Sequence, residues 1–304
     1  MKYIKMKLKK LFFCFYFLFL MFIMDIKGQE TGVLTPNYII VKYSNDFSTQ
    51  EYENGFYSNI PSRKGVNYII KGNSRYNSDE SLTIEPNDSI EIHFYNDITS
   101  LEHFFDWLED DICEFIIYVD LSHFNTISVT NIGSMFLYCN NLEKINFTNV
   151  NTSSVIGMFG MFAGCKKLEL LDLSNFNTSL VENMGYMFFE CNNLESLDLS
   201  NFNTSSVINM DGMFSGSEKL ESLDLSTFNT SSVTNMYCMF SRCEKLESFD
   251  LSNFNTSSVI KMGIMFISCI KLKSLDLSNF QTKNVESLNF MFENLYRIGI
   301  FRYI

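Results

Sequence analysis

The sequence predicts an α/β solenoid of 26-residue coils, each contributing one short parallel strand and one short helix or 3-10 turn, with a small β-rich region ahead of it. Two observations carry this expectation. Met-Phe recurs at 135/136, 161/162, 187/188, 213/214, 239/240, 265/266 and 291/292, and every step is 26 residues. Valine recurs in the same register from Val129 to Val285 and threonine from Thr126 to Thr282, without insertion or deletion. Self-similarity at a fixed period of this size is the signature of stacked repeats, in which each unit buries its apolar face against its neighbours.

The chain opens on a basic stretch, Lys2, Lys5, Lys7, Lys9 and Lys10, followed by an unbroken apolar run from Leu11 to Met24. That run is shorter than the roughly 20 residues a membrane-spanning helix needs. Residues 1–28 therefore read as a secretory signal, with an uncleaved signal anchor as the alternative. No second apolar run of membrane length follows, so no span is expected once the signal is removed. The remaining chain holds 17 basic and 34 acidic side chains, a formal charge of −17. Such a balance argues against nucleic acid or anionic lipid as a partner and favours solubility of an extended surface.

Residues 29–100 contain short β-type runs at Tyr38 to Tyr43, Tyr68 to Lys71 and Ser89 to Phe94, separated by Asn, Ser, Gly and Pro, and read as a β-rich region. Residues 101–119 read as a degenerate capping unit, because Cys113, Ile116 and Val119 fall on the columns of Cys139, Leu142 and Ile145. Residues 120–304 then hold seven full units and a terminal strand around Ile298 and Phe301.

Each unit has two periods. In Leu194 to Ser200, Leu197 and Leu199 flank Asp198 with the alternation of a half-buried strand. Asn201 to Ser206 carries turn chemistry, since Asn, Ser and Thr side chains compete for nearby backbone groups. Val207, Met210, Met213 and Phe214, Ser217 and Leu220 follow at spacings of three or four, which predicts helical or 3-10 geometry with one face inward.

The unit L-x-S-L-D-L-S-N-F-N-T-S-S-V-x-N-M-x-x-M-F-x-x-C-x-x-L resembles the repeat of BspA-like leucine-rich-repeat surface proteins, in its aspartate-rich version, over about residues 113 to 304. The resemblance implies a leucine-rich-repeat solenoid on a secreted or cell-surface protein, acting in adhesion or another interaction. Neither a sortase-type motif nor a C-terminal apolar tail of the kind such proteins use for anchoring is found.

The catalytic inventory is thin. His93, His103 and His123 share no pattern, there is no Gly-rich phosphate loop, and no zinc spacing is present. The expected chain is not an enzyme and takes no cofactor and no metal. Cys113, Cys139, Cys165, Cys191, Cys243 and Cys269 occupy one column interrupted by Ser217. Small buried side chains are the simplest reading of that column, disulfides between stacked units the alternative. Cys238, off the column, is expected to be the more accessible thiol. Sequons occur at Asn87, Asn146, Asn151, Asn177, Asn203, Asn229 and Asn255. They read as turn chemistry or, in a host that glycosylates, as modification sites.

The partner surface expected from the sequence is the strand face, with Asp172, Asp198, Asp224, Asp250 and Asp276 stacked beside Ser200, Ser226 and Ser252. Stacking aspartates about 4.8 Å apart predicts mutual repulsion and raised carboxyl pKa values, relieved by weak, screening-type cation association, so that stability rises with added salt or millimolar Ca²⁺ and as pH falls from 7 towards 5. The sequence thus predicts a non-catalytic binding protein for a protein or glycan ligand; the competing reading is a passive coat or spacer without a dedicated ligand. It specifies neither ligand nor oligomeric state.

Overall fold

A computed structural model describes residues 37–44, 56–59, 66–76, 81–94, 98–105, 111–248, 250–295 and 300–302. The expected signal at residues 1–28 lies outside them. Six strands precede the repeats: β1 (Tyr38–Tyr43), β2 (Phe56–Asn59), β3 (Val66–Lys71), β4 (Ser74–Tyr76), β5 (Ser81–Ile84) and β6 (Ser89–Phe94). A 3-10 helix at Asp111–Phe115 leads into β7 (Ile116–Asp120), and β8 (Lys144–Asn146), β9 (Ser274–Asp276) and β10 (Ile300–Arg302) lie further along.

One mixed sheet orders six of these as β4-β3-β6-β1-β7-β8. Alternation explains its two faces. Ile39, Val41 and Tyr43 of β1 and Ile90, Ile92 and Phe94 of β6 point into the core, while Lys42 and Ser89 are exposed. The sheet is antiparallel from β4 to β7, and its last pair, β7 with β8, is parallel with Val119 opposite Ile145. The β-rich region and the first repeats therefore share one sheet. Tyr68, His93, Tyr38 and His123 stack in a row across it, with centroid separations of 4.9, 4.7 and 4.6 Å.

The expected α/β solenoid with a strand and a helix in every coil is not what the chain forms. Among the described residues there is no α-helix, the sole helical element is the 3-10 turn at Asp111–Phe115, and regular strand in the repeats is confined to β7, β8, β9 and β10. Backbone hydrogen bonding gives the reason. Met187, Phe189 and Cys191 donate their N–H groups to carbonyls three residues back, at Met184, Tyr186 and Phe188. The alternate residues Met184, Tyr186, Phe188 and Glu190 donate instead to Asn209, Asp211, Met213 and Ser215 of the next unit, at 2.7–3.0 Å. An α-helix would need both sets to bond four residues back.

Two left-handed residues per unit enforce this pattern. Tyr186 and Glu190 have φ of 55° and 51°, Cys238 and Arg242 both 57°, and Gly212 and Gly216 56° and 77°. A left-handed residue cannot propagate a right-handed helix. The spacing of three or four apolar residues thus arises from successive tight turns rather than from a helix. Their continuation across units is a run of parallel bridges, Ser100, Asn131, Gly157, Asn183, Asn209, Asn235, Lys261 and Ser287, each paired with the next.

Of the buried columns, three show how the units are joined. Phe105, Phe136, Phe162, Phe188, Phe214, Phe240, Phe266 and Phe292 stack nearly parallel, with centroids 5.2–6.2 Å apart, which accounts for the unvarying Phe of Met-Phe. The buried Thr hydroxyls link units: Thr178 Oγ1 donates to the Asn203 carbonyl at 3.0 Å and accepts the Asn203 N–H at 2.8 Å. Cys165, Cys191, Cys243 and Cys269 are buried free thiols, each donating from Sγ to a Phe carbonyl of the preceding unit at 3.0–3.2 Å. Ser217 makes the same contact to Phe188 at 2.8 Å, so a hydroxyl replaces a thiol without changing the pattern.

Candidate functional site

The aspartate row is built by local turns. Leu197 and Leu199 are buried and Asp198 between them is exposed, so the alternation read from the sequence is present although residues 195–200 form no regular strand. Asp172, Asp198, Asp224, Asp250 and Asp276 are all exposed, and Oδ1 of each accepts the backbone N–H of the serine two residues on, at 2.8–3.0 Å. Ser200, Ser226 and Ser252 are among those donors and are themselves exposed.

These hydrogen bonds overturn the expected electrostatics of the row. The backbone and side chain of Ser200 hold Asp198 below its ordinary value of 3.8, and the upward push from Asp224 and Asp172 is smaller. Asp172, Asp224 and Asp250 are lowered in the same way by Ser174, Ser226 and Ser252. Charges on different units pair beside the row: Arg242 with Glu218 and Lys245 with Glu221, both at 2.8 Å, and Lys273 with Glu247. A hollow of about 380 Å³ opens between Glu143, Lys167, Glu169 and Asn193. The face therefore presents carboxylates fixed by their own serines, the repulsion between neighbouring aspartates being outweighed by those hydrogen bonds, with Glu–Arg and Glu–Lys pairs beside them.

The sequon asparagines fall into two groups. Asn151, Asn177, Asn203, Asn229 and Asn255 are exposed, and each Oδ1 accepts the N–H two residues on at 2.9–3.1 Å. Asn87 is exposed at φ 66° in the turn before β6, whereas Asn146 is half-buried in β8 and donates to Asp120 at 3.0 Å. Turn chemistry is thus a role all the repeated asparagines visibly have.

A second exposed face was not foreseen from the sequence. Beside the bridge run, the column 133, 159, 185, 211, 237, 263 and 289 reads Gly, Phe, Gly, Asp, Tyr, Gly, Asn, and the column three residues before it brings Ile156, Ile208 and Ile260 to the surface. One acid among glycines and aromatic rings was the available signal, and it was masked because the segment read as an inward-facing helix. Asp211 is half-buried; burial raises its carboxyl pKa, with Tyr186, Asn235 and Lys261 acting against that shift. Burial likewise pushes the Tyr186 phenol up to about 12. Tyr186 rests against Gly212, where an added Cβ would meet the ring at 2.7 Å.

Among the described residues no three His, Cys, Asp or Glu side chains are grouped to hold a metal ion. None of their helices is long and apolar enough to cross a membrane. His93 is buried between the rings of Tyr38 and Tyr68 and bonds Glu91 at 2.9 Å.

No curated protein and no solved structure matches the chain. The family described as "Mycoplasma protein of unknown function, DUF285" matches three overlapping segments, residues 99–222, 169–248 and 189–299. Those segments together cover residues 99–299, about two thirds of the 304, and the chain belongs to this family.

Proposed function

We propose that the chain is a non-catalytic binding protein of the secreted or cell-surface kind, holding a protein or glycan partner along the aspartate and serine row. The observation that carries this reading is the repetition of one exposed, pre-oriented carboxylate at Asp172, Asp198, Asp224, Asp250 and Asp276. Identical groups at a fixed interval suit a partner that is itself repetitive or extended, because several weak contacts combine into avidity. Anchoring each carboxylate to its own turn reduces the ordering cost of binding. The resemblance of the repeat to BspA-like surface proteins supports the same reading, as does a leading segment with the pattern of a secretory signal.

A passive coat is the second reading, favoured by one fact: each Asp Oδ1 is already occupied by its own serine N–H. The experiment is adhesion of the full chain to intact cells and to immobilised matrix proteins and glycans. It is compared with a variant carrying Asp198→Ala, Asp224→Ala and Asp250→Ala at an unchanged melting temperature. Loss of capture supports the binding face. Capture that is absent from the start, or unaffected by the substitutions, leaves the coat reading.

A further inference from the structure

The second face holds a hollow of about 350 Å³ lined by Asp211, Asn235, Tyr237, Ile260, Lys261 and Glu286, within the size range of small-molecule sites. Its composition is selective. The Tyr237 ring is 37% exposed and lies over Gly263, whose missing side chain lets the ring approach: a Cβ there would meet the ring at 3.3 Å. A flat, partly open aromatic surface without competing side chains is a stacking platform. Ile260, 38% exposed, adds an apolar edge.

The polar groups complement that platform. Asp211 is the one acid of its column; Tyr186 and Asn235 hydrogen-bond its carboxylate, and one oxygen, Oδ1, is enclosed with no hydrogen-bond partner of its own among the described residues. An enclosed carboxylate oxygen is a strong acceptor that ordinarily has a donor. The Asn235 Oδ1 already accepts the Tyr237 N–H at 3.1 Å, and Lys261 provides a cation close enough to lower the Asp211 pKa. Two carboxylates, Asp211 and Glu286, share the lining with one ammonium, Lys261, so the hollow carries one net negative charge, which disfavours an anionic ligand. A ring with an apolar face and several hydroxyl donors and acceptors meets all these demands together.

We propose that this hollow is a saccharide site, in which the Tyr237 ring stacks on the face of a neutral pyranose and Asp211 accepts a hydrogen bond from one of its hydroxyls, with Lys261 donating to another. The site lies in different columns of the unit from the aspartate row and does not depend on it. Its success or failure is therefore read separately from that of the acidic face.

Saturation-transfer NMR of the full chain with neutral oligosaccharides of glucose, galactose, mannose and N-acetylglucosamine tests the assignment, with an alkylammonium and a sialylated glycan as charged comparators. At least one neutral saccharide is expected to bind. Asp211→Asn and Tyr237→Ala are expected to weaken it by about tenfold or more, as loss of a charged hydrogen bond or of a stacking ring does. Tyr237→Phe, which keeps the ring, is expected to stay within about threefold. Ile260→Trp, at an exposed rim position, fills the hollow without touching the interior and should abolish binding, so the site remains testable if Asp211→Asn lowers stability. Asp198→Asn on the other face should have no effect. No signal from any neutral saccharide at about 10 mM, where a site weaker than millimolar would count as no site, overturns the proposal. So does preferential binding of a charged comparator, or binding that survives both Tyr237→Ala and Ile260→Trp.

Discussion

Thr204 Oγ1 donates to the Asn229 carbonyl at 3.0 Å and accepts the Asn229 N–H at 2.8 Å, closing a two-way link between consecutive units. The hydroxyl is wholly buried, so both backbone groups of Asn229 lose their partner if it is removed. Thr204→Val keeps shape and apolar area and is expected to cost about 1–3 kcal/mol, the penalty for leaving buried backbone groups unsatisfied. Thr204→Ser retains the hydroxyl and should cost distinctly less. Urea unfolding of the two variants checks this, and equal losses would show that the methyl group, not the hydroxyl, matters.

Acid should destabilise the chain. Asp172, Asp198, Asp224 and Asp250 have folded pKa values held below 3.8 by serine hydrogen bonds. Their contribution is present above the unfolded value and is lost as pH falls through the lower folded one. His93 acts earlier with the same sign, since burial depresses its pKa below 6.5 despite the opposing Glu91 bond: the unfolded chain takes up a proton first as pH drops below 6.5. Asp211, raised by burial, opposes both as a single group. The melting temperature is therefore expected to fall from pH 7 to 5 and again below pH 4, and His93→Gln should flatten the first decline. A melting temperature that climbs on acidification would reinstate repulsion along the aspartate row.

Thiol labelling should separate two classes. Cys238 is partly exposed, with a pKa pushed up to about 11 by burial and by Asp211. Cys191 and Cys269 are buried and pushed to about 12, and Cys165 and Cys243 are raised well above 9.0. Since the thiolate is the reactive form, alkylation of the native chain should label Cys238 at least about tenfold faster than the column. Disulfides joining Cys165 to Cys191 or Cys243 to Cys269 in the purified protein would contradict the observed Sγ contacts to Phe carbonyls.

Much of this architecture was legible in the sequence because a repeat multiplies every signal. The Val, Phe and Cys columns are inward-facing as their spacing implied, whereas the Thr column, read as turn chemistry, is buried as well; the alternation of Leu197, Asp198 and Leu199 placed the carboxylates outside. Local conformation was not legible. Spacing of three or four apolar residues reports which side chains face inward, and both a helix and a series of tight turns produce it. The deciding feature was the left-handed backbone at Tyr186, Glu190, Cys238 and Arg242, residue types that give no hint of it. Glycine at 160, 164, 212 and 216 in the same two columns was the available clue. The Asp211 hollow stayed hidden for the same reason, since a helix with that face inward would have buried it.

The stacking of whole 26-residue units by unit-to-unit hydrogen bonds is the central claim, and changing the length of the chain between units tests it most directly. Removing Glu195 to Leu220 deletes one complete period, so the Phe, Thr and Cys columns and the bridge run rejoin in register. A 13-residue insertion after Leu194 instead rotates every later column half a period out of register. Thermal unfolding of both variants gives the answer: the deletion should unfold in one cooperative transition close to that of the parent chain, and the insertion should lose cooperativity or fail to fold. Equal tolerance of the two changes would contradict the stacked-unit account.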